Sequence, residues 1–133
     1  MIASLLLSLS ISDFYNLAKV VQVEAKANTA DEYCVAASVL NRVLSPKFPG
    51  TVKDVVYSSG QYEGIYTQRL IMVKPQLLKR LSSSEGKANI IKWSGILNGR
   101  TDFKGQSMLK YRVASEDPMC HPKGNFYHYY WQQ

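Results

Sequence analysis

The chain has 133 residues, 46% of them apolar and 20% charged, with a formal net charge of +6. That size and balance suit a single folded domain over 1–133, large enough to bury a core without disulfide or metal staples, and exclude a low-complexity or repeat array. The basic excess favours an acidic partner such as nucleic acid, anionic lipid or a carboxylate-bearing cell wall. Its cations are scattered, with only a modest cluster from Lys74 to Arg80, which reads as a solvated face and argues against nucleic acid.

The chain opens "MIASLLLSLSISDFY". This apolar run is too short to span a bilayer, so no stable membrane insertion is expected. It has the length of a signal-peptide core, but no Lys or Arg precedes it and no A-x-A site follows. An ordinary structured N-terminus is the favoured reading, with an atypical export signal as the alternative. Ser12 is a candidate N-cap and Asp13 suits the first turn of a helix. Phe14, Leu17, Ala18, Val21 and Ala25 recur at helical spacing, which predicts a first helix to about Ala27, with Asn28 as its stop.

"TADE", Thr29 to Glu32, has the form of a capping box. A second helix is predicted from about Ala30 to Leu44, with Val35, Ala36, Val39, Leu40 and Val43 inward and Pro46 ending it. Thr51 caps a short helix in "VKDVVY". "SSGQYEG" reads as a turn-rich loop, and "TQRLIMV" is ambiguous between strand and helix. Pro75 suits the first position of a helix, "PQLLKRL". Another helical pattern starts at Ser84-Glu85 and stops at Asn98-Gly99. "SMLKYRVA", Ser107 to Ala114, alternates like a strand, and the chain ends on the aromatic "GNFYHYYWQQ". The class is α+β, dominated by helix with a small β element.

Cys34 and Cys120 lack metal-site spacing; Cys34 reads as a buried hydrophobe, and a disulfide between the two is left open. His121 and His128 have no third ligand at a recognisable spacing, so no metal is expected. No GxGxxG or P-loop occurs, so no nucleotide cofactor is implied.

One residue conflicts with its surroundings. Glu24 follows Val21 by three positions, Leu17 by seven and Phe14 by ten, which places it on the same helical face as all three. A carboxylate there is costly unless paired or neutral, and burial raises its pKa. A carboxyl that keeps its proton near neutral pH can act as a general acid. The competing reading is a half-buried rim acid satisfied by a cation such as Arg42.

The ordered motifs around Glu24 resemble those of the SleB-like cell-wall hydrolases, named for spore-cortex-lytic enzymes. They are Glu24-Ala25-Lys26, "VLNRV" at Val39 to Val43, "FPGTVKDVVY" at Phe48 to Tyr57, and Gln61-Tyr62 in place of the family's "QF". They cover about a third of the chain. The resemblance implies a lysozyme-like fold, peptidoglycan glycan strands as substrate, and Glu24 as the catalytic acid. It implies action at the cell wall, secreted, periplasmic or phage-delivered. Asn28 stands where the family carries a second Glu, and Ala27 where it carries Gly.

Glycoside cleavage usually employs two carboxyl groups. Asp31 and Glu32 read as helix-start residues, which leaves Glu63, beside Gln61-Tyr62, as the best second acid. A lytic transglycosylase needs one acid, and that economy fits Glu24. Gln61, Tyr62, Glu63, Tyr66, Tyr111 and Tyr127 are the candidate sugar-binding residues, each tyrosine being equally suited to a packing role. The alternative is a catalytically inactive wall-binding or structural module of the same fold, favoured by Asn28 and Ala27. The lack of an appended binding domain points to a delivery partner or a larger lytic assembly.

Overall fold

The computed structural model describes residues 1–58, 62, 72–106 and 118–132. Among these residues the chain forms six helices and one two-stranded sheet: α1 Ile2–Ser8, α2 Ile11–Glu24, α3 Asp31–Leu44, α4 Val52–Val56, α5 Pro75–Ser82, α6 Ser84–Leu97, β1 Asp102–Lys104 and β2 Phe126–His128. The helix-dominated α+β class is the one expected from the sequence. The candidate strand at 107–114 and residues 67–71 of "TQRLIMV" lie outside the described residues.

Helix α3 is the centre. Cys34, Val35, Ala36, Ala37, Ser38, Val39 and Leu40 are all fully buried, so it meets no solvent along its middle. A helix apolar on every side must be surrounded, and α1, α2, α4, α6 and β1 all pack against it. Helix α2 adds Phe14, Leu17, Ala18, Val20 and Val21 to the same core. In α1, Leu6 is buried while Leu7 is exposed.

Two helix starts differ from the predicted ones. Helix α2 is capped by Ser10 rather than Ser12: the Ser10 hydroxyl accepts from the Asp13 N–H at 3.1 Å, and the Asp13 carboxylate accepts from the Ser10 N–H at 2.9 Å. Only a start at Ser10 puts an acid three residues on, where it can close a reciprocal box. At the other end α2 stops at Glu24, because Ala25 is extended and Asn28 is left-handed at φ 60°. Asparagine is among the few non-glycine residues that adopt this conformation readily.

The "TADE" box does not form. Ala30, not Thr29, precedes α3 and makes no side-chain cap. The Thr29 hydroxyl donates to the Lys26 carbonyl at 2.8 Å and accepts from the Asp31 N–H at 3.2 Å. Glu32 turns instead to Arg80 on α5, whose Nε and Nη2 reach its two carboxylate oxygens at 3.1 and 3.0 Å. A bidentate, charge-assisted pair outweighs a single capping bond.

The remaining ends follow the sequence. The Thr51 hydroxyl caps α4 by accepting from Asp54 N–H, and Pro75 takes the first turn of α5. Ser83 caps α6 by accepting from Gly86 N–H. Residue 86 must be glycine, since a Cβ there would lie 1.9 Å from the Arg80 carbonyl oxygen. Asn98 at φ 48° and Gly99 at φ 83° end α6 in the left-handed region.

The strands pair antiparallel, with Asp102 opposite His128, Phe103 opposite Tyr127 and Lys104 opposite Phe126. At three residues each they are too short to carry a period in sequence. Cys34 and Cys120 form a disulfide across 86 residues, tying the segment before β2 to the central helix.

Candidate functional site

Glu24 is the last residue of α2 and is half-buried. Its backbone is fixed: the Asn125 Nδ2 donates to the Glu24 carbonyl at 2.9 Å. Asn125 is held in turn by Asp31, the first residue of α3. The fully buried Asp31 carboxylate accepts from Asn125 Nδ2 at 2.7 Å, from the Asn125 N–H at 3.3 Å and from the Tyr127 hydroxyl at 2.6 Å. Gly124 lets the chain approach this closely, since a Cβ there would stand 2.8 Å from the Asp31 carboxyl carbon. The turn between α2 and α3 is thereby bolted to the strand segment by one buried carboxylate.

Tyr62 is only 3% exposed, and its ring stacks on Phe103 with centroids 6.0 Å apart and planes 19° apart. Phe103 meets the Tyr127 ring at 6.0 Å. The Arg42 guanidinium lies over the Tyr62 ring at 5.1 Å. The Tyr62 hydroxyl has no hydrogen-bond partner among the described residues. Burial pushes its pKa well above the ordinary phenol value; nearby Arg42 opposes the shift, while Asp102 and Glu24 add to it. The hydroxyl therefore sits within electrostatic reach of two carboxylates and one cation, contributed by α2, α3 and β1.

Arg42, weighed from the sequence as a rim partner for Glu24, reaches the sheet. Its Nε donates to the Thr101 carbonyl at 2.7 Å and its Nη2 to Asp102 Oδ1 at 3.1 Å. Beside it, Asn41 Nδ2 donates to the Arg100 carbonyl at 2.9 Å. "VLNRV" thus does two jobs: Val39 and Leu40 fill the core, while Asn41 and Arg42 clamp residues 100–102. Phe48, from "FPGTVKDVVY", covers the guanidinium at 4.7 Å. Asp102 also accepts from the Thr101 hydroxyl at 3.0 Å and lies 3.8 Å from His128 Nε2.

Of the sugar-binding candidates, the structure places Tyr62 and Tyr127 near Phe103. Tyr127 is buried with its hydroxyl turned to Asp31, so it belongs to the wall and the bolt rather than to an open surface. Gln61, Glu63, Tyr66 and Tyr111 lie outside the described residues. The second-acid candidates Asp31 and Glu32 are engaged in the bolt and in the Arg80 pair. Sequence reasoning missed Asp102 and Asn125, because short polar residues in a loop-like context have no periodic signal. His121 Nδ1 accepts from the Lys123 N–H. Among the described residues no helix is long and apolar enough to cross a membrane.

The family model for Cell Wall Hydrolase matches residues 27–131. The chain belongs to the cell wall hydrolase family. Within this cell wall hydrolase the matched span takes in Asp31, Arg42, Tyr62, Asp102 and Asn125, and begins three residues after Glu24. The fold is similar to that in the crystal structure of the catalytic domain of the Bacillus cereus SleB protein, with a TM-score of 0.67 and 17% identity over 90% of this chain and 91% of that one. The resemblance read from the motifs and the lysozyme-like class are both borne out. Among curated proteins none matches.

Proposed function

We propose that this cell wall hydrolase cleaves the glycan strand of peptidoglycan at the cell wall, with Glu24 as the acid that protonates the glycosidic oxygen. The observation carrying the reading is the placement of Glu24 at a helix end, half-buried, with its carbonyl fixed by Asn125 and its charge felt at the buried Tyr62 hydroxyl. A fixed backbone holds the acid in position without reorganisation.

In the single-acid course, Glu24 gives its proton to the leaving oxygen as the bond from the anomeric carbon breaks. The resulting carboxylate takes the proton of the sugar's own C6 hydroxyl, whose oxygen bonds to the anomeric carbon. The product is a 1,6-anhydro sugar, and Glu24 ends protonated as it began. Asp102 is the nearby carboxylate, and it is held by Arg42 and Thr101. Asn28, which suggested an inactive module, suits the left-handed turn it occupies.

The test is to incubate purified peptidoglycan with the wild-type protein and with Glu24→Gln, and to read soluble products by mass spectrometry. Anhydro-muropeptides from the wild type alone support the proposal. Reducing-end sugars mean hydrolysis, with a positioned water or a second carboxylate. Equal release by both proteins removes Glu24 from the mechanism. Retained wall binding with no release from either means an inactive module.

A further inference from the structure

Beyond the Glu24 site, the turn that follows β2 carries an aromatic assembly that the reaction does not use. Trp131 stacks on Tyr129 with centroids 4.6 Å apart and planes 8° apart, and Tyr130 meets Trp131 edge-on at 4.9 Å. Trp131 is nonetheless 64% exposed. With one indole face covered by Tyr129, so much exposure leaves the opposite face open to solvent.

The assembly is rigid. The Gln132 N–H donates to the Tyr129 carbonyl at 3.0 Å, and Gln132 Oε1 accepts from the Tyr129 N–H at 2.9 Å, which closes the turn from both sides. The Tyr129 hydroxyl donates to the Asn98 carbonyl at 2.9 Å and accepts from Asn98 Nδ2 at 3.1 Å, fixing the ring to the end of α6. The Arg100 guanidinium lies over Tyr129 at 4.7 Å. A large indole held open in a doubly closed turn adds little to the core and presents a fixed apolar face to solvent.

The platform is continuous with the candidate site. Tyr130 packs edge-on against Phe48 at 5.9 Å, and Phe48 covers Arg42, whose guanidinium binds Asp102. His128, opposite Asp102 in the sheet, immediately precedes Tyr129. Packed side chains thus join the open indole to the Arg42–Asp102 pair.

We propose that Trp131, backed by Tyr129, is a second glycan-binding subsite that stacks against a pyranose ring of a strand extending beyond the cleavage point. The inference rests on the glycan-cleavage reading above. Its chemistry is specific: the weakly positive C–H face of a pyranose ring complements the negative face of an indole. A preformed stack needs little ordering on binding, so most of the contact appears as affinity.

The experiment measures affinity for soluble peptidoglycan glycan strands by calorimetry, using Glu24→Gln to prevent turnover. Trp131→Ala and Trp131→Phe are added in that background, with circular dichroism confirming folding. Trp131→Ala weakens binding about tenfold, on the scale of one lost aromatic contact, and Trp131→Phe restores most of it. Equal affinity of Trp131→Ala and its Glu24→Gln parent, or no affinity for the strands in any variant, overturns the subsite. Wall cleavage by the wild-type protein is scored separately. If it is absent while the Trp131 effect persists, the cleavage reading fails and the subsite stands.

Discussion

Asp31→Asn keeps the shape of the bolt and removes its charge. The wild-type carboxylate takes two short bonds, 2.6 Å from the Tyr127 hydroxyl and 2.7 Å from Asn125 Nδ2, with no solvent exposure. Bonds to a charged acceptor contribute about 1.5–3 kcal/mol each, against about 0.5–1.5 for neutral ones, so the change weakens each by about 1 kcal/mol. An amide also presents an NH2 to one of the two donors, leaving it unsatisfied at a further cost of about 1–3 kcal/mol. The sum is about 3–5 kcal/mol, a large fraction of the stability of a domain this size. At a few degrees per kcal/mol, Tm falls by about 10 °C or more. Reversible thermal unfolding followed by circular dichroism reads this directly, and a double-mutant cycle with Tyr127→Phe isolates the network. The two changes share a bond, so their costs should fail to add by about 1 kcal/mol or more. Costs that add to within about 0.3 kcal/mol would refute the idea that Asp31 and Tyr127 act as a unit.

Reducing the Cys34–Cys120 bond, which spans 86 residues, frees a long loop in the unfolded chain and lowers stability by about 2–4 kcal/mol. Melting with and without reductant checks this, and a Cys34→Ala/Cys120→Ala variant should lose all sensitivity to reductant. Gly86→Ala drives a methyl group to 1.9 Å from the Arg80 carbonyl oxygen, a backbone atom that cannot swing away. It should cost at least about 2 kcal/mol in denaturant unfolding; an unchanged midpoint would mean that the α5–α6 elbow opens freely. Burial raises the pKa of both Tyr62 and Tyr127, with the Asp31 carboxylate adding to the shift at Tyr127. The folded state then keeps two protons that the unfolded chain releases near the ordinary phenol value of about 10. Their contribution to stability is complete below about pH 10 and is lost as pH rises above it. Tyrosinate absorbance should show Tyr62 and Tyr127 ionising only on unfolding. Tyr62→Phe should flatten the alkaline loss of stability.

Local signals in the sequence carried most of the helices. Pro75 opening α5, Thr51 capping α4 and Asn98-Gly99 closing α6 depend on chemistry within one turn of chain, so reading residues in order was sufficient. The apolar spacing that singled out Glu24 is likewise local, as are the ordered motifs that pointed to the family. Where two local solutions competed, the tertiary structure decided. Thr29 and Glu32 had the form of a capping box, but Arg80 took Glu32 from 48 residues away. Asp31 looked like a helix-start acid, yet partners 94 and 96 residues distant make it the bolt behind Glu24. Asp102, the Cys34–Cys120 pairing and the placement of Tyr62 against Phe103 belong to the same class. The sequence alone determined most of the segments that coil and which acid sits at odds with its neighbours, because these follow from bonds and burial along one helix. Only the folded chain decided what each buried charge would face, because that partner is set by packing between elements far apart in sequence.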